Sequence, residues 1–351
     1  MKLREDLADL PPYAAGKLKP GAIKLASNEN PWGPSPLAIE AVKAHLDRSH
    51  IYPDGGAQAL KSAIAEHWSL LETQITVGNG SDEVLSLIAG AYIRPGDNAL
   101  IANHTFSEYQ FSVRLFGGTL KKVPLTDYTF DLEAFSKAVD EKTRIVFLCN
   151  PNNPTGTYFS HEALERFLEK LSPEILVVLD EAYAHYADAP DFPRSKDLLA
   201  RFANLVVLRT FSKVYGLAAL RVGYAVSSSA IARDLSVVRQ PFNVGSLSQA
   251  AAQAALGDEA FLTKSLETNR TERDRLTREF GRSLRVLPSQ ANFLAVHVKT
   301  DSAAVFQALA EAGVTIRPLA SFGMPDWVRI TVGTPEQNDF LLKAWNQLGL
   351  S

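Results

Sequence analysis

Five short apolar runs, each followed by polar or small residues and then by a helical pattern, constrain the fold of this chain most. The runs lie at residues 99–102, 145–149, 175–179, 205–208 and 222–226. Strands that are apolar on both faces are typical of a parallel sheet that helices cover on both sides. Helical patterns lie between the runs, for example at residues 81–93 and 160–171. The middle of the chain therefore predicts an α/β domain.

The last third of the chain has a different pattern. Residues 248–281 form one long helical stretch that is first rich in alanine and then charged. Three strand-like patterns lie around a helix near residues 302–312, at 291–298, 314–317 and 328–332. This mixture of short strands and helices predicts a smaller α+β unit.

The first 40 residues contain six prolines and little periodicity, which is typical of an arm that lies across another part of the molecule. We therefore predict an N-terminal arm or part of the small domain at 1–40, a large domain at 41–245 and a small C-terminal domain at 246–351. A chain of 351 residues, 46% of them hydrophobic, is long enough for two or three domains with substantial cores.

Charge and cysteine content argue against several classes of protein. The chain has 36 lysines and arginines against 39 aspartates and glutamates, so its net charge of −3 gives no reason to expect nucleic acid or a membrane as a partner. The one cysteine, Cys149, allows neither an intrachain disulfide nor a cysteine-rich metal site, and the seven histidines lack the spacing of metal ligands. Without a signal-peptide pattern or a long apolar run, we expect a cytoplasmic protein that binds no metal ion.

Polar residues directly follow three of the apolar runs. They are Asn-Pro-Asn-Asn-Pro-Thr-Gly at residues 150–156, Asp-Glu-Ala-Tyr at 180–183 and Thr-Phe-Ser-Lys at 210–213. Ligands of α/β sheets gather at the carboxyl ends of the strands. We therefore expect these side chains to meet at one rim of the sheet, with Arg221 close to them.

Two of these residues allow more than one interpretation. Asp180 ends a wholly apolar run, so it is either paired within the protein, as an ion pair or a helix cap, or available to a cationic ligand. Lys213 is either an ordinary surface lysine or an amine with a lowered pKa, which would suit a Schiff base. Ser212 and Arg221 beside it would suit a phosphate, through a hydroxyl and a forked cation.

The sequence Gly-Asn-Gly-Ser-Asp-Glu at residues 78–83 opens a predicted helix. The free N–H groups of a first helical turn bind anions, although Ser81 is also an ordinary N-cap residue. Together with the strand-end residues, this turn favours a phosphorylated aldehyde cofactor with a ring nitrogen that pairs with Asp180. Asn153 and Tyr183 would then donate hydrogen bonds to the phenolate oxygen of that ring.

Longer motifs identify a family with these features. They are Pro-Pro-Tyr at residues 11–13, Leu-Ala-Ser-Asn-Glu-Asn-Pro at 25–31, Tyr-Pro-Asp at 52–54, the turn at 78–83, the three strand-end motifs, Leu-Arg-Val-Gly at 220–223 and Val-Arg-Ile-Thr-Val-Gly-Thr at 328–334. In these motifs the chain resembles the fold-type I, class I/II aminotransferases that use pyridoxal phosphate. The resemblance implies a three-layer, aspartate aminotransferase-like large domain with a mainly parallel sheet, which binds the cofactor, and a smaller α+β domain.

The resemblance also implies a role for each matching residue. Lys213 would be the Schiff-base lysine, Asp180 the partner of the ring nitrogen and Tyr183 a donor to the phenolate oxygen, and these three would be the catalytic residues. The cofactor would further contact Ser81, Asp82, Phe106, Asn153, Ser212 and Arg221. Tyr52 would reach the cofactor of the neighbouring subunit, which implies a homodimer with shared active sites. The substrate's anionic group would be held by Arg329, Arg317 and Tyr13.

Within the family, the chain is similar to the branch that acts on histidinol phosphate. That similarity implies transfer of the amino group from histidinol phosphate to 2-oxoglutarate, which yields imidazole acetol phosphate and glutamate, as in histidine biosynthesis. An aromatic amino-acid aminotransferase, a threonine-phosphate decarboxylase and a binding protein without turnover are the alternatives. Arg329 does not decide between them, since one guanidinium can clamp a phosphate or a carboxylate, and it can also lie on the outer face of a half-exposed strand.

The chain departs from the family pattern near the predicted pocket. It has His104-Thr-Phe106 where the family often has Pro-Thr-Tyr, and Val214 where a small residue is more usual. Phe106 can still stack on the cofactor ring, but Tyr109 is a second candidate for that position. These departures affect the expected substrate preference more than the chemistry.

Overall fold

In the computed structural model, which describes residues 2–8 and 21–350, the chain forms strands and helices over most of its length. The strands are β1 (Ile23–Lys24), β2 (Ile75–Gly78), β3 (Asn98–Ala102), β4 (Thr119–Val123), β5 (Thr143–Cys149), β6 (Leu176–Asp180), β7 (Leu205–Thr210), β8 (Gly223–Val226), β9 (Phe293–His297), β10 (Val314–Thr315), β11 (Arg317–Pro318) and β12 (Trp327–Thr331). The helices are α1 (Pro36–His45), α2 (Gln58–Trp68), α3 (Ser81–Tyr92), α4 (Glu108–Leu115), α5 (Leu132–Ala138), α6 (His161–Lys170), α7 (Ser195–Leu199), α8 (Ser229–Val238), α9 (Ser246–Leu256), α10 (Glu259–Gly281), α11 (Ser302–Glu311) and α12 (Pro335–Gln347).

The larger sheet has seven strands in the order β2-β8-β7-β6-β5-β3-β4. All neighbouring pairs are parallel except the two that involve β8, which runs antiparallel to both β2 and β7. Strand β6 is buried along its whole length, as expected for a strand covered on both faces. The predicted α/β class with a mainly parallel sheet is confirmed. In this sheet the carboxyl ends of β5, β6 and β7 lie side by side.

A second core lies in the C-terminal part of the chain. The antiparallel sheet β11-β12-β9 packs with helices α10, α11 and α12 around buried residues such as Leu294 and Trp345. Strand β1 pairs with β10, and Leu25 belongs to this second core although it lies near the N-terminus. Helix α9 packs against α1 and α2. The exact domain boundaries at residues 40 and 245 stay a prediction.

Two expectations from the sequence were wrong. The stretch 248–281 is two helices, because Asp258 interrupts it: its carboxylate accepts hydrogen bonds from the backbone N–H of Phe261 and from the Ser35 hydroxyl. The stretch 314–317 is not one strand, because β10 pairs with β1 whereas β11 pairs with β12. Within the described ranges, none of the helices has the length and apolar character that crossing a membrane requires.

Candidate active site

A cavity of about 380 Å³ opens at the carboxyl ends of β5, β6 and β7, and residues of the small sheet complete its lining. The predicted site residues that line it are Ser81, Asp82, Phe106, Asn153, Asp180, Tyr183, Ser212, Lys213, Arg221, Arg317 and Arg329. Parallel strands place their carboxyl ends at one rim, which is why motifs far apart in sequence meet here.

Of the described candidates, Tyr52 and Tyr109 do not line this cavity. Tyr52 lies elsewhere, is 80% exposed, and stacks on Phe242 with ring centroids 4.8 Å apart. Tyr109 is fully buried behind the cavity wall. Tyr13 lies outside the residues that the structure describes.

Asp180 is a buried carboxylate at the end of β6. Its Oδ1 accepts a hydrogen bond from the backbone N–H of Ala182 (3.1 Å), and its Oδ2 accepts one from the hydroxyl of Tyr109 (2.6 Å). Burial raises the pKa of Asp180 to about 6, and the two hydrogen bonds oppose that shift. Among the described residues no cation forms an ion pair with it. Asp180 is therefore available to a cationic group of a ligand.

Lys213 lies in the turn after β7, and its Nζ donates to the backbone carbonyl of Ser27 (3.2 Å). Burial, and then the positive charge of Arg329, lower the pKa of Lys213 to about 8. A larger fraction of the amine is thus neutral near pH 7 than in an ordinary lysine. A neutral amine is the form that attacks an aldehyde and that accepts a proton.

An anion-binding cradle lies where α3 begins. The N-cap residue Gly80 has φ +81°, and within the described ranges no side chain caps the N–H groups of the first turn. Arg221 approaches the same turn: its guanidinium donates to Asp82 (2.9 Å) and to the hydroxyl of Ser212 (3.4 Å). A Cβ at Gly80 would lie 2.5 Å from Arg221 Nη2, and the positive φ also favours a glycine there. A helix N-terminus, a hydroxyl and an arginine together fit a phosphate.

Two donors, Tyr183 and Asn153, also line the cavity. The hydroxyl of Tyr183 accepts a hydrogen bond from the amide of Asn28 (2.9 Å), which leaves its own proton free to be donated. Burial raises the pKa of Tyr183 to about 12, so the phenol stays protonated at neutral pH. Asn153 accepts a hydrogen bond from Arg329 through Oδ1, which leaves its NH₂ group free.

Arg329 lies on β12 and is only 7% exposed, so it is not an outward-facing arginine. Besides Asn153, it donates to the backbone carbonyl of Ala26 (2.8 Å), and its buried Nε has no hydrogen-bond partner among the residues that the structure describes. Its Cα is paired across the strands with that of Arg317, which also lines the cavity. Burial, with a contribution from the charge of Arg317, lowers the pKa of Arg329 to about 10.

The aromatic residues of α4 and the preceding loop have separate positions. Phe106 lines the cavity, whereas the ring of Tyr109 lies behind it and meets it edge to face, with centroids 5.7 Å apart. Of the two candidate rings, Phe106 is thus the one that lines the cavity, and its stacking on the cofactor stays a prediction. Tyr109 instead hydrogen-bonds to Asp180.

The donor set fits a phosphorylated pyridine aldehyde. The cradle suits its phosphate, Lys213 its aldehyde, Asp180 its ring nitrogen, and Tyr183 with Asn153 its phenolate oxygen. Asp180 favours such a ligand most strongly. A buried carboxylate without a nearby cation lowers the stability of the protein unless a ligand supplies the positive charge.

Comparisons with known proteins identify the family of this chain. The sequence model of the family described as aminotransferase class I and II matches residues 20–344. The chain belongs to this family. It is 46% identical over 351 residues to a histidinol-phosphate aminotransferase of Geobacillus thermodenitrificans, an alignment that covers 97% of this chain and 96% of the relative. As a member of this family, it is an enzyme, a transferase whose cofactor is pyridoxal phosphate.

Solved structures agree on the fold of this aminotransferase. A histidinol-phosphate aminotransferase from Sinorhizobium meliloti in complex with pyridoxal-5'-phosphate superposes with a TM-score of 0.86 at 30% identity, covering 93% of this chain and 91% of that one. A double mutant of Thermus thermophilus aspartate aminotransferase superposes with a TM-score of 0.83 at 23% identity, covering 93% and 92%. The predicted aspartate aminotransferase-like fold is confirmed.

Sequence reasoning assigned no role to several cavity residues of this aminotransferase. Asn28, which hydrogen-bonds to Tyr183, has the left-handed φ of +56°, and Thr331 and Asn292 hold its backbone. Glu29 also lines the cavity. Both residues lie in the motif at 25–31, which was part of the resemblance. The sequence therefore marked this segment, but it did not show which residues Asn28 and Glu29 contact.

Proposed function

We propose that this aminotransferase transfers the amino group of histidinol phosphate to 2-oxoglutarate, as a homodimer with shared active sites, in the cytoplasm. The products are imidazole acetol phosphate and glutamate. The proposed substrates follow the name of the relative that is 46% identical over nearly the whole chain.

The arginine pair of the small sheet is the observation that carries this proposal. Arg329 and Arg317 line the cavity on paired strand positions, and neither has an acidic partner among the described residues. Histidinol phosphate has a phosphate and no carboxylate, whereas glutamate has two carboxylates. A guanidinium binds phosphate and carboxylate oxygens in the same forked geometry. The part of the cavity lining formed by Arg317 and Arg329, here called the positive wall, would therefore bind both substrates in turn.

The residues of the chain divide the work of the reaction. Bound pyridoxal phosphate supplies a ring that accepts electrons from the substrate's α-carbon. Lys213 would hold the cofactor through its amine, and the same amine would move the proton at that α-carbon. Asp180 pairs with the ring nitrogen and keeps it protonated. Tyr183 and Asn153 donate to the phenolate oxygen, which orients the ring.

The remaining cofactor contacts concern the phosphate and the face of the ring. The backbone N–H groups of Ser81 and Asp82, the hydroxyl of Ser212 and the guanidinium of Arg221 hold the phosphate. Phe106, which lines the cavity, would contact the ring. These contacts would hold the cofactor independently of Lys213.

Tyr52 supports the shared site of the proposed dimer. It is 80% exposed and forms an aromatic surface with Phe242, which is 46% exposed. A second subunit that covers this surface would receive Tyr52 at its own cofactor phosphate. We predict that Lys213→Ala and Tyr52→Phe subunits, each impaired alone, regain one working site when mixed as heterodimers. Absence of any recovery in the separated heterodimer would contradict the shared site.

A half-reaction on the cofactor-loaded enzyme tests the proposed donor. Histidinol phosphate, phenylalanine and threonine phosphate are added separately, and the absorbance of the bound cofactor and any release of carbon dioxide are followed. We expect rapid amination of the cofactor with histidinol phosphate and at least tenfold slower amination with phenylalanine. The reverse preference would make the protein an aromatic amino-acid aminotransferase, release of carbon dioxide from threonine phosphate would make it a decarboxylase, and no conversion with any donor would favour a binding protein.

A further inference from the structure

The proposed reaction assigns no role to the buried phenol of Tyr109. Its ring stacks on Phe147, with centroids 4.9 Å apart and an interplanar angle of 10°, and it meets Phe106 edge to face. These contacts hold the ring on two sides, so its hydroxyl has a fixed position. That hydroxyl lies 2.6 Å from Oδ2 of Asp180, to which it donates a hydrogen bond.

We propose that Tyr109 is a positioning residue that keeps Asp180 ionised and oriented toward the ring nitrogen of pyridoxal phosphate. Tyr109 does not line the cavity, so it acts on the cofactor through Asp180. The proposal concerns cofactor binding and is independent of which amino donor the enzyme uses.

The geometry around Asp180 supports an orienting role. The backbone N–H of Ala182 holds Oδ1 and the hydroxyl of Tyr109 holds Oδ2, so the carboxylate plane cannot rotate freely. Each oxygen keeps a second lone pair for a ligand. Without the hydroxyl, one oxygen would have no side-chain partner among the described residues, and the plane would be free to turn.

The charges around Asp180 explain why it needs a donor. Burial is the largest influence on it, and the like charges of Asp82 on α3 and Glu181 after β6 add to the effect. Cys149 on the neighbouring strand is neutral, since burial raises the pKa of its thiol far above neutrality. Burial and the Asp180 charge likewise raise the pKa of Tyr109, which therefore stays a proton donor. A donated hydrogen bond favours the ionised carboxylate.

The test compares two cofactors in one variant. Tyr109→Phe removes the hydroxyl and keeps the ring between Phe147 and Phe106. The apoenzyme is titrated with pyridoxal phosphate and with its deaza analogue, in which carbon replaces the ring nitrogen. We expect the affinity for pyridoxal phosphate to fall about tenfold or more, as for a lost hydrogen bond to a charged group, and the affinity for the analogue to stay the same. In the wild type, the affinity for pyridoxal phosphate should decrease at low pH, where Asp180 becomes protonated. In Tyr109→Phe this decrease should begin at a higher pH, because loss of the donor raises the pKa of Asp180.

Tyr224→Phe is the matched control. Tyr224 is also a fully buried phenol, but its hydroxyl accepts from the indole of Trp68 (3.0 Å) and does not touch the cavity. Both ligands should bind this variant as they bind the wild type. In the Asp180→Asn background, Tyr109→Phe should cause no further loss of affinity for pyridoxal phosphate.

Three results would overturn the proposal. An equal loss of affinity for both ligands in Tyr109→Phe would show that the hydroxyl serves packing alone, and no loss for either would show that it has no role. If Tyr109→Phe does not fold, a 3-fluorotyrosine placed at position 109 reports on the same bond. Its ¹⁹F signal should titrate with Asp180, near pH 6, in the apoenzyme and should not do so in Asp180→Asn. A signal that is flat in both would also overturn the proposal.

Discussion

The cofactor side and the substrate side of the cavity differ in how their charged groups are partnered. On the cofactor side, Asp180 accepts two hydrogen bonds, and Arg221 is held by Asp82 and Ser212. On the substrate side, the Nε of Arg329 has no partner, and Arg317 has no ion pair within the described part of the chain. The two sides thus suit two kinds of ligand.

The difference reflects how long each ligand stays. A cofactor that remains bound benefits from a cradle with fixed groups, because the cost of ordering them is met during folding. A substrate that must enter and leave twice in each cycle benefits from a positive charge that its own phosphate or carboxylate neutralises. Four substitutions or conditions test this contrast, in order of decreasing effect.

Replacement of Lys213 by alanine should have the largest effect. It removes the amine that, in the proposed reaction, binds the cofactor covalently and moves the substrate proton, so turnover should fall by at least about 10⁴-fold, as when a principal catalytic group is lost. The absorption band of the covalently bound cofactor should also be lost. Near-normal activity in the half-reaction would remove Lys213 from the mechanism.

Replacement of Arg329 by alanine should reduce kcat/KM for both histidinol phosphate and 2-oxoglutarate by about 100-fold or more, because it removes a buried charge that pairs with the substrate. Arg317→Ala should cost about tenfold, since that residue is less buried. Arg285→Ala is the control: this arginine is exposed and paired with Asp127 outside the cavity. A change confined to one substrate would contradict the single positive wall.

Replacement of Gly80 by alanine should weaken the cradle and leave the substrate side unchanged. A Cβ there meets Arg221 Nη2 at 2.5 Å, and the φ of +81° disfavours any residue other than glycine. We expect the apoenzyme to bind pyridoxal phosphate about tenfold more weakly, measured by titration, with KM for both substrates near normal in saturating cofactor. Gly21→Ala, where φ is +79° but the Cβ meets nothing, controls for backbone strain.

The smallest effect concerns the pH at which the apoenzyme captures its cofactor. The neutral amine of Lys213 is the reactive form, and its pKa is lowered to about 8. The capture rate should therefore rise with pH and level off above about 8, whereas an ordinary lysine would continue to gain rate up to about 10.4. Stopped-flow mixing of apoenzyme with pyridoxal phosphate measures this profile. A rate that still rises steeply above pH 9 would mean that Lys213 is not desolvated.

Local pattern was sufficient for the elements whose environment is uniform. The wholly apolar run at 175–179 predicted β6, because a strand that is buried on both faces is apolar at successive positions. The stretch 248–281 was wrongly predicted to be one helix. Asp258, which caps α10, accepts a hydrogen bond from Ser35, more than 200 residues away in sequence. Helical periodicity continues through such a break, so only a distant contact reveals it.

The sequence by itself determined which chemistry gathers at the rim. The strand-end positions of Asp180 and Lys213 follow from chain order once a parallel sheet is predicted, because parallel strands share one carboxyl edge. The motif residues around them then identified the family.

Only the tertiary structure decided how these groups are partnered. The bonds of Arg329 to Asn153, of Asn28 to Tyr183 and of Tyr109 to Asp180 each join residues that are 71 or more positions apart. The sequence could not show whether Arg329 faces inward or which ring lies in the cavity. Those choices depend on burial and on the packing of separate elements, which local residue patterns do not encode.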